Sequence, residues 1–220
     1  MLILIKKWFA QLKQKIDEIG SNGLSVIWIH GANQSGQSFQ YLRSLTRFKN
    51  ELVVEYDTSH SFKYNVEMLA NEIIKVRSPY FIIGHSLGGL YAIHLTKHLD
   101  VAGAVSISTP FAGSWTADWA RFFVPTYQLF KDVGRRSIPI KESQEIKLKV
   151  DWTQIISTKG NVPYHGGQND GVCTIKSMRS RKDMELIEVP HTHFEVMCSD
   201  LVVEIILDRY KKVCKGYIKK

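Results

Sequence analysis

The sequence predicts an α/β fold, a mostly parallel sheet of about six strands with helices on both faces. Three observations carry this expectation. Apolar runs of strand length alternate with helical apolar patterns along most of the 220 residues. The run Tyr80-Phe81-Ile82-Ile83 stops at Gly84 and turns through a tight corner into a helical pattern over 87–99, where Leu90, Ala92 and Ile93 sit among Lys97 and His98. A content of 44% hydrophobic and 23% charged residues is that of an ordinary globular protein, and the length is that of one domain.

Taken in order, the chain opens Met1-Leu2-Ile3-Leu4-Ile5 and then turns basic. This apolar run is shorter than a signal-peptide core, and the positive charge follows it instead of preceding it. Nothing approaches the ~18 apolar residues of a membrane span. Leu4, Trp8, Leu12, Ile16 and Ile19 recur at helical spacing, so residues 1–20 read as an amphipathic helix, either packed on the domain or in peripheral contact with a membrane surface. Residues 21–220 then form a single domain. A strand over 24–29 ends in His30-Gly31-Ala32-Asn33-Gln34-Ser35-Gly36, and a helix follows over 37–48. A strand over 51–56 precedes a helix over 62–77, which Ser78-Pro79 breaks ahead of the strand at 80–83. Another strand spans 101–107. Residues 111–140 break the rhythm: Trp115, Trp119, Phe122 and Phe123 share a helical face, with Ser114 as its N-cap. Strands at 152–158 and 184–189 and an apolar helix to about Lys211 complete the chain.

The corner at 84–89 has the form Gly84-x-Ser86-x-Gly88. So tight a turn puts Ser86 in a strained backbone conformation, and its neighbours must lack bulk where strand and helix cross. The strain points the hydroxyl away from the core and leaves the Leu87 N–H, at the helix start, free to receive negative charge. The plain alternative is a glycine-rich turn in which serine caps a helix. On Gly84-His85-Ser86-Leu87-Gly88-Gly89 the chain resembles the α/β-hydrolase family, and within it the small lipase-like serine esterases. The resemblance spans roughly 24–207, with no counterpart for 1–20.

That resemblance implies the α/β-hydrolase fold and a set of roles. Ser86 is the nucleophile. The residue after His30-Gly31, Ala32, gives the second oxyanion-hole N–H beside Leu87. Asp170, in Asn169-Asp170-Gly171-Val172, is the acid and His193 the base, in the chain order of the family. Asp170 also has a plain reading as a turn residue. Spacing alone does not separate His191 from His193; the segment His193-Phe194-Glu195-Val196-Met197 resembles the family's base-before-helix segment and favours His193. The resemblance further implies a small cap over the site at 111–140, able to hold an acyl chain; the alternative is a helix packed on the sheet. His165-Gly166-Gly167 mimics an oxyanion motif but follows the wrong strand.

No metal or cofactor is expected, because the pair His191-x-His193 lacks a third ligand at motif spacing. Cys173, Cys198 and Cys214 form no Cys-x-x-Cys and read as reduced thiols in a cytoplasm. The formal net charge of +8 gathers at 135–136, 176–182 and 209–220 without interleaved aromatics, a solvated surface and not a nucleic-acid site. The expected chemistry is hydrolysis of a carboxylic ester of lipid or other apolar type. Two rivals stand beside it: a thioesterase or acyltransferase with the same triad, and a non-catalytic binding protein on the same fold. The oligomeric state is not legible.

Overall fold

The computed structural model describes residues 23–124, 126–163 and 166–218, the side chains of Arg121 and Ile218 excepted. The helix expected over 1–20 and His165 lie outside the described residues. Six strands form one sheet: β1 (Ser25–Ile29), β2 (Glu51–Val54), β3 (Tyr80–His85), β4 (Val101–Ile107), β5 (Asp151–Ser157) and β6 (Glu185–Val189). Their order is β2-β1-β3-β4-β5-β6 and every neighbouring pair is parallel. Eight helices are described: α1 (Gln40–Thr46), α2 (Phe62–Ile73), α3 (Leu87–Leu95), α4 (Trp115–Phe123), α5 (Gln128–Val133), α6 (Ile138–Glu145), α7 (Ile175–Met178) and α8 (Asp200–Ile218). This is the α/β-hydrolase architecture that the sequence predicted.

Every residue of β1 and β3 is buried, because helices cover both faces of the sheet. Alternate side chains then feed two cores. Val26, Trp28, Phe81, Ile83, Val105 and Ile107 point to the side closed by Leu42 of α1 and the stripe Val202, Val203, Ile206, Leu207, Tyr210 and Val213 of α8. Ile27, Ile29, Ile82 and Ala104 point to the side closed by α2 and α3. The strand order reverses direction at β1: the chain steps outward to β2, then crosses to β3 on the other side. A crevice therefore opens between the carboxyl ends of β1 and β3, where ligands bind in open α/β sheets. Ile29 pairs with Gly84, so the segments leaving these two strands start side by side.

Several helices end sooner than the apolar pattern suggests. Beyond Ile73, α2 tightens into i→i+3 bonds, with Lys75 N–H on Glu72 O at 3.3 Å and Val76 N–H on Ile73 O at 3.1 Å. Beyond Leu95, α3 does the same through Thr96, Lys97 and His98. The helix expected over 37–48 begins as a 3₁₀ turn at Gly36–Phe39 and stops at Arg47, whose φ of 48° is left-handed. In contrast α8 continues to Ile218, past the expected end.

The insertion expected at about 111–140 holds three helices, α4, α5 and α6, the last ending at Glu145. Ser114 caps α4 as expected, accepting from Ala117 N–H. The aromatic face of α4 is not packed on the sheet: Trp119 is 56% and Phe123 80% exposed. The packed helix is α6, whose Ile140 enters the core beside α3. Its last carbonyls are held by the buried Arg181 guanidinium, which donates to Ser143 O and, at 2.6 Å, to Ile146 O. Other basic residues of 176–182 and 209–218 pair with acids, Arg179 with Glu188 and Lys212 with Asp151. Among the described residues no helix is long and apolar enough to cross a membrane.

Trp28 anchors the first core. It is fully buried, its ring lies 5.0 Å from that of Phe39, and its Nε1–H donates to Glu51 Oε2 at 2.9 Å. Trp28→Ala is expected to cost about 3–5 kcal/mol in urea unfolding, the usual price of a buried aromatic deletion. A loss below about 1 kcal/mol would place the core's anchor elsewhere.

Candidate active site

Ser86 alone makes the corner between β3 and α3, at φ 52° and ψ −116°. Few non-glycine residues occupy this region, and holding one there costs on the order of 1–3 kcal/mol. The flanking glycines permit it. A Cβ on Gly88 would meet Ile29 O at 2.0 Å, one on Gly84 the Gly88 carbonyl at 2.6 Å, and one on Gly89 the Thr109 Oγ1 at 1.9 Å. Leu87, the first residue of α3, has an N–H with no intrahelical acceptor.

Asp170 is fully buried and its two oxygens do different work. Oδ1 accepts from Cys173 N–H at 2.7 Å and Val172 N–H at 3.0 Å, which shapes the turn. Oδ2 lies 2.7 Å from His193 Nδ1 and accepts from the Ser157 hydroxyl at 2.5 Å. One carboxylate therefore both shapes the turn and binds the His193 ring. Burial pushes its pKa upward, but the His193 hydrogen bond and charge, the Ser157 hydroxyl and the Cys173 N–H outweigh it and hold the group below its ordinary value. With Nδ1–H turned to this carboxylate, Nε2 of His193 is the nitrogen left to take a proton. His191 is elsewhere, 2.8 Å from Ser199 Oγ through Nε2. Asp57 and Asp151, by contrast, are exposed, and Asp151 opens β5 at the opposite end of the sheet from Ser86.

His85 connects the pieces. Its Nε2 is 3.1 Å from His193 O and its Nδ1 is 3.1 Å from Gln34 Oε1, so the residue next to Ser86 touches both flanking loops. The loop after β1 is braced repeatedly. Gln34 Oε1 also accepts from Gly31 N–H at 3.2 Å, the Tyr56 hydroxyl donates to His30 O at 2.8 Å, and Glu55 Oε1 accepts from Gly36 N–H at 2.8 Å. Ala32, half-buried against the second core, is carried on this loop at the mouth of the crevice.

Among the described residues, Asp170, Cys173 and His193 have potential metal-ligand atoms within 4.8 Å of one another. The chemistry does not suit a cation. Burial, with the Asp170 charge, pushes the Cys173 thiol well above its ordinary value, and the neutral thiol is a poor ligand. Asp170 and His193 are already bonded to each other. Sequence reasoning missed Ser157, Ser108 and Gln34. Ser108, at φ 53°, places its hydroxyl 2.6 Å from that of Ser157, which extends the buried polar string behind Asp170. The available signal was the appearance of serines at the carboxyl ends of two otherwise apolar strands.

Residues 26–153, more than half of the chain, match the alpha/beta hydrolase family, and the chain belongs to that family. Solved structures with the same fold include a YdeN-like hydrolase from Pectobacterium atrosepticum, at a TM-score of 0.60 and 16% identity over 92% of this chain and 98% of that one. The ydeN gene product of B. subtilis matches at a TM-score of 0.59 and 20% identity, over 86% of this chain and 99% of its own. Phospholipase PlaB from Legionella pneumophila matches at 0.63 and 14%, over 88% of this chain and 61% of its own. At such identities these likenesses establish the fold. No curated protein matches the chain in sequence.

Burial, reinforced by the nearby His193, lowers the pKa of His85 to about 3. The sign follows from linkage: the unfolded chain takes up this proton near pH 6.5, while the folded chain resists it until about pH 3. His85 therefore contributes stability that is complete above about pH 6.5 and declines as the pH falls towards its folded value. Nitrogen-15 spectra at pH 5 are expected to show a neutral His85 ring; a doubly protonated ring at that pH would contradict this burial argument.

Proposed function

We propose that this member of the alpha/beta hydrolase family is a serine hydrolase of carboxylic esters, acting on lipid or other apolar acyl substrates through an acyl-enzyme. The observation that carries the reading is the strained corner at Ser86 beside the buried Asp170–His193 pair, with His85 touching both. Ser86 Oγ attacks the ester carbonyl while His193 Nε2 takes the hydroxyl proton. The tetrahedral alkoxide is held by the N–H groups of Leu87 and Ala32, donors fixed before the charge forms. Collapse expels the alcohol, which receives the proton from His193. Water then attacks the acyl-enzyme with His193 again as base, and Asp170 orients the ring and offsets its positive charge throughout.

The apolar substrate class is supported by the exposed Trp115, Trp119 and Phe123 of α4. The hydrolase class is supported by the family and by solved neighbours described as a lipase-esterase related protein and a pyrethroid hydrolase. The three free cysteines and the paired basic residues support a cytoplasmic protein without a nucleic-acid partner. Peripheral membrane contact through residues 1–20 rests on their apolar spacing alone.

Nitrophenyl esters from short to long acyl chains are the direct test. Ser86→Ala is expected to abolish turnover and labelling by a fluorophosphonate; retention of a tenth of the activity would mean another nucleophile is in use. Asp170→Asn is expected to lower turnover on the order of 10⁴-fold. His193→Ala should abolish acylation of Ser86 whereas His191→Ala lowers it modestly. The reverse ranking would move the base to His191.

A further inference from the structure

The braces on the loop after β1 differ in origin. Tyr56, Glu55 and Gln34 tie it to the β2 end, to itself and to His85. One further tie comes from the 111–145 insertion. Asn33 follows Ala32 directly and sits at a left-handed φ of 54°. Its amide reaches Tyr127, in the turn between α4 and α5. The Tyr127 hydroxyl donates to Asn33 Oδ1 at 2.8 Å and lies 2.5 Å from Nδ2. Thr58, beyond β2, donates to the same Oδ1 at 2.9 Å.

We infer that Asn33 and Tyr127 are positioning residues that let the insertion set the angle of the Ala32 N–H in the oxyanion hole. The inference rests on the ester-hydrolase reading and adds to it a link between insertion and catalytic loop. A peptide plane turns about the backbone dihedrals on either side of it, so fixing the side chain of residue 33 restrains the peptide that joins it to residue 32. The Ala32 N–H lies in the next peptide back, one φ/ψ pair away, so the restraint narrows its orientation through Ala32. Asn takes the left-handed conformation more readily than other non-glycine residues, and here its side chain is held by Tyr127 and Thr58. Oxyanion donors act through placement, with about 10²–10³ in turnover lost when one is removed. Loosening one is a smaller loss of the same kind. Any substrate that displaces the turn at Tyr127 therefore changes the rate of the chemical step and not only binding.

Tyr127→Phe removes the hydroxyl alone, and Asn33→Gly removes the side chain while keeping the left-handed backbone accessible. Each is expected to lower kcat about tenfold on an oxo-ester, less than loss of a whole donor, with KM changed less than twofold. On the matching thionoester, whose sulfur is a weak acceptor, the loss is expected to be under threefold. The double variant should be no worse than Asn33→Gly alone, since that change already removes the contact that Tyr127→Phe removes, together with the one from Thr58. Independently of turnover, amide exchange at Ala32 and Asn33 is expected to speed up in Tyr127→Phe while the amides of β3 are unchanged. Equal losses on oxo- and thionoester, or unchanged exchange at Ala32, overturn the inference. Wild-type protein without Ser86-dependent turnover but with altered Ala32 exchange in Tyr127→Phe would retain the link and sink the esterase reading instead.

Discussion

The constraint on which the structure depends is the crossing of α3 over the end of β1. The helix comes so close that a Cβ on Gly88 would sit 2.0 Å from Ile29 O, inside any permissible contact. That approach closes the second core over Ile29 and at the same time tilts the helix start so that Ser86 must take φ 52°. Packing and strain are therefore one feature. The strain of roughly 1–3 kcal/mol is offset because α3 is buried along its whole length. No residue of α3 has a solvent-facing alternative, so the corner has no easy way to relax.

A second consequence is electrostatic. Buried polar groups lie at or near the carboxyl ends of β3, β4 and β5 (His85, Ser106, Ser108 and Ser157), with Gln154 at the middle of β5. Such groups are costly in an apolar sheet unless each has a partner. They find partners in one another, as Ser106 with Gln154 and Trp152 Nε1, and Ser108 with Ser157. The string ends on Asp170, which stays a carboxylate in a fully buried position because so many donors converge on it. His85 is kept neutral, by its burial first and by the neighbouring His193 second. One carboxylate and one neutral imidazole thus flank His193, and the polarity of the site is fixed by the sheet and not by solvent.

Much of this was legible in the sequence, for physical reasons. A strand covered on both faces reads as a continuous apolar run, and the glycines of the corner are there because backbone passes against backbone. The six strands and the left-handed corner at Ser86 follow from those two rules. Helix ends were less legible: the apolar stripe of α2 continues past Ile73, yet the chain there tightens into i→i+3 turns that hydrophobicity does not encode. The insertion was the poorest. Its aromatic residues suggested either a packed helix or a cap, while the helix that packs is α6, of weaker apolar pattern and held by the distant Arg181. Ser157 left only the faint signal of a serine at the end of an apolar strand, and Gln34 left none, because its importance lies in what it touches and not in the turn around it.

The site combines supports of unequal stiffness. Ser86 and Leu87 belong to the strand–helix corner, which cannot move without separating two cores. Asp170 and His193 sit on separate loops but are bound to each other and, through His193 O and His85, to that same corner. Ala32 is different. It lies on a loop whose braces come from side chains, and one of these, Tyr127, belongs to a segment with exposed aromatics and little core of its own. Ser86, Asp170 and His193 are thus tied directly to the strand–helix corner of the sheet. Ala32, the proposed oxyanion donor, instead lies on a loop that is tied through Asn33 to the insertion.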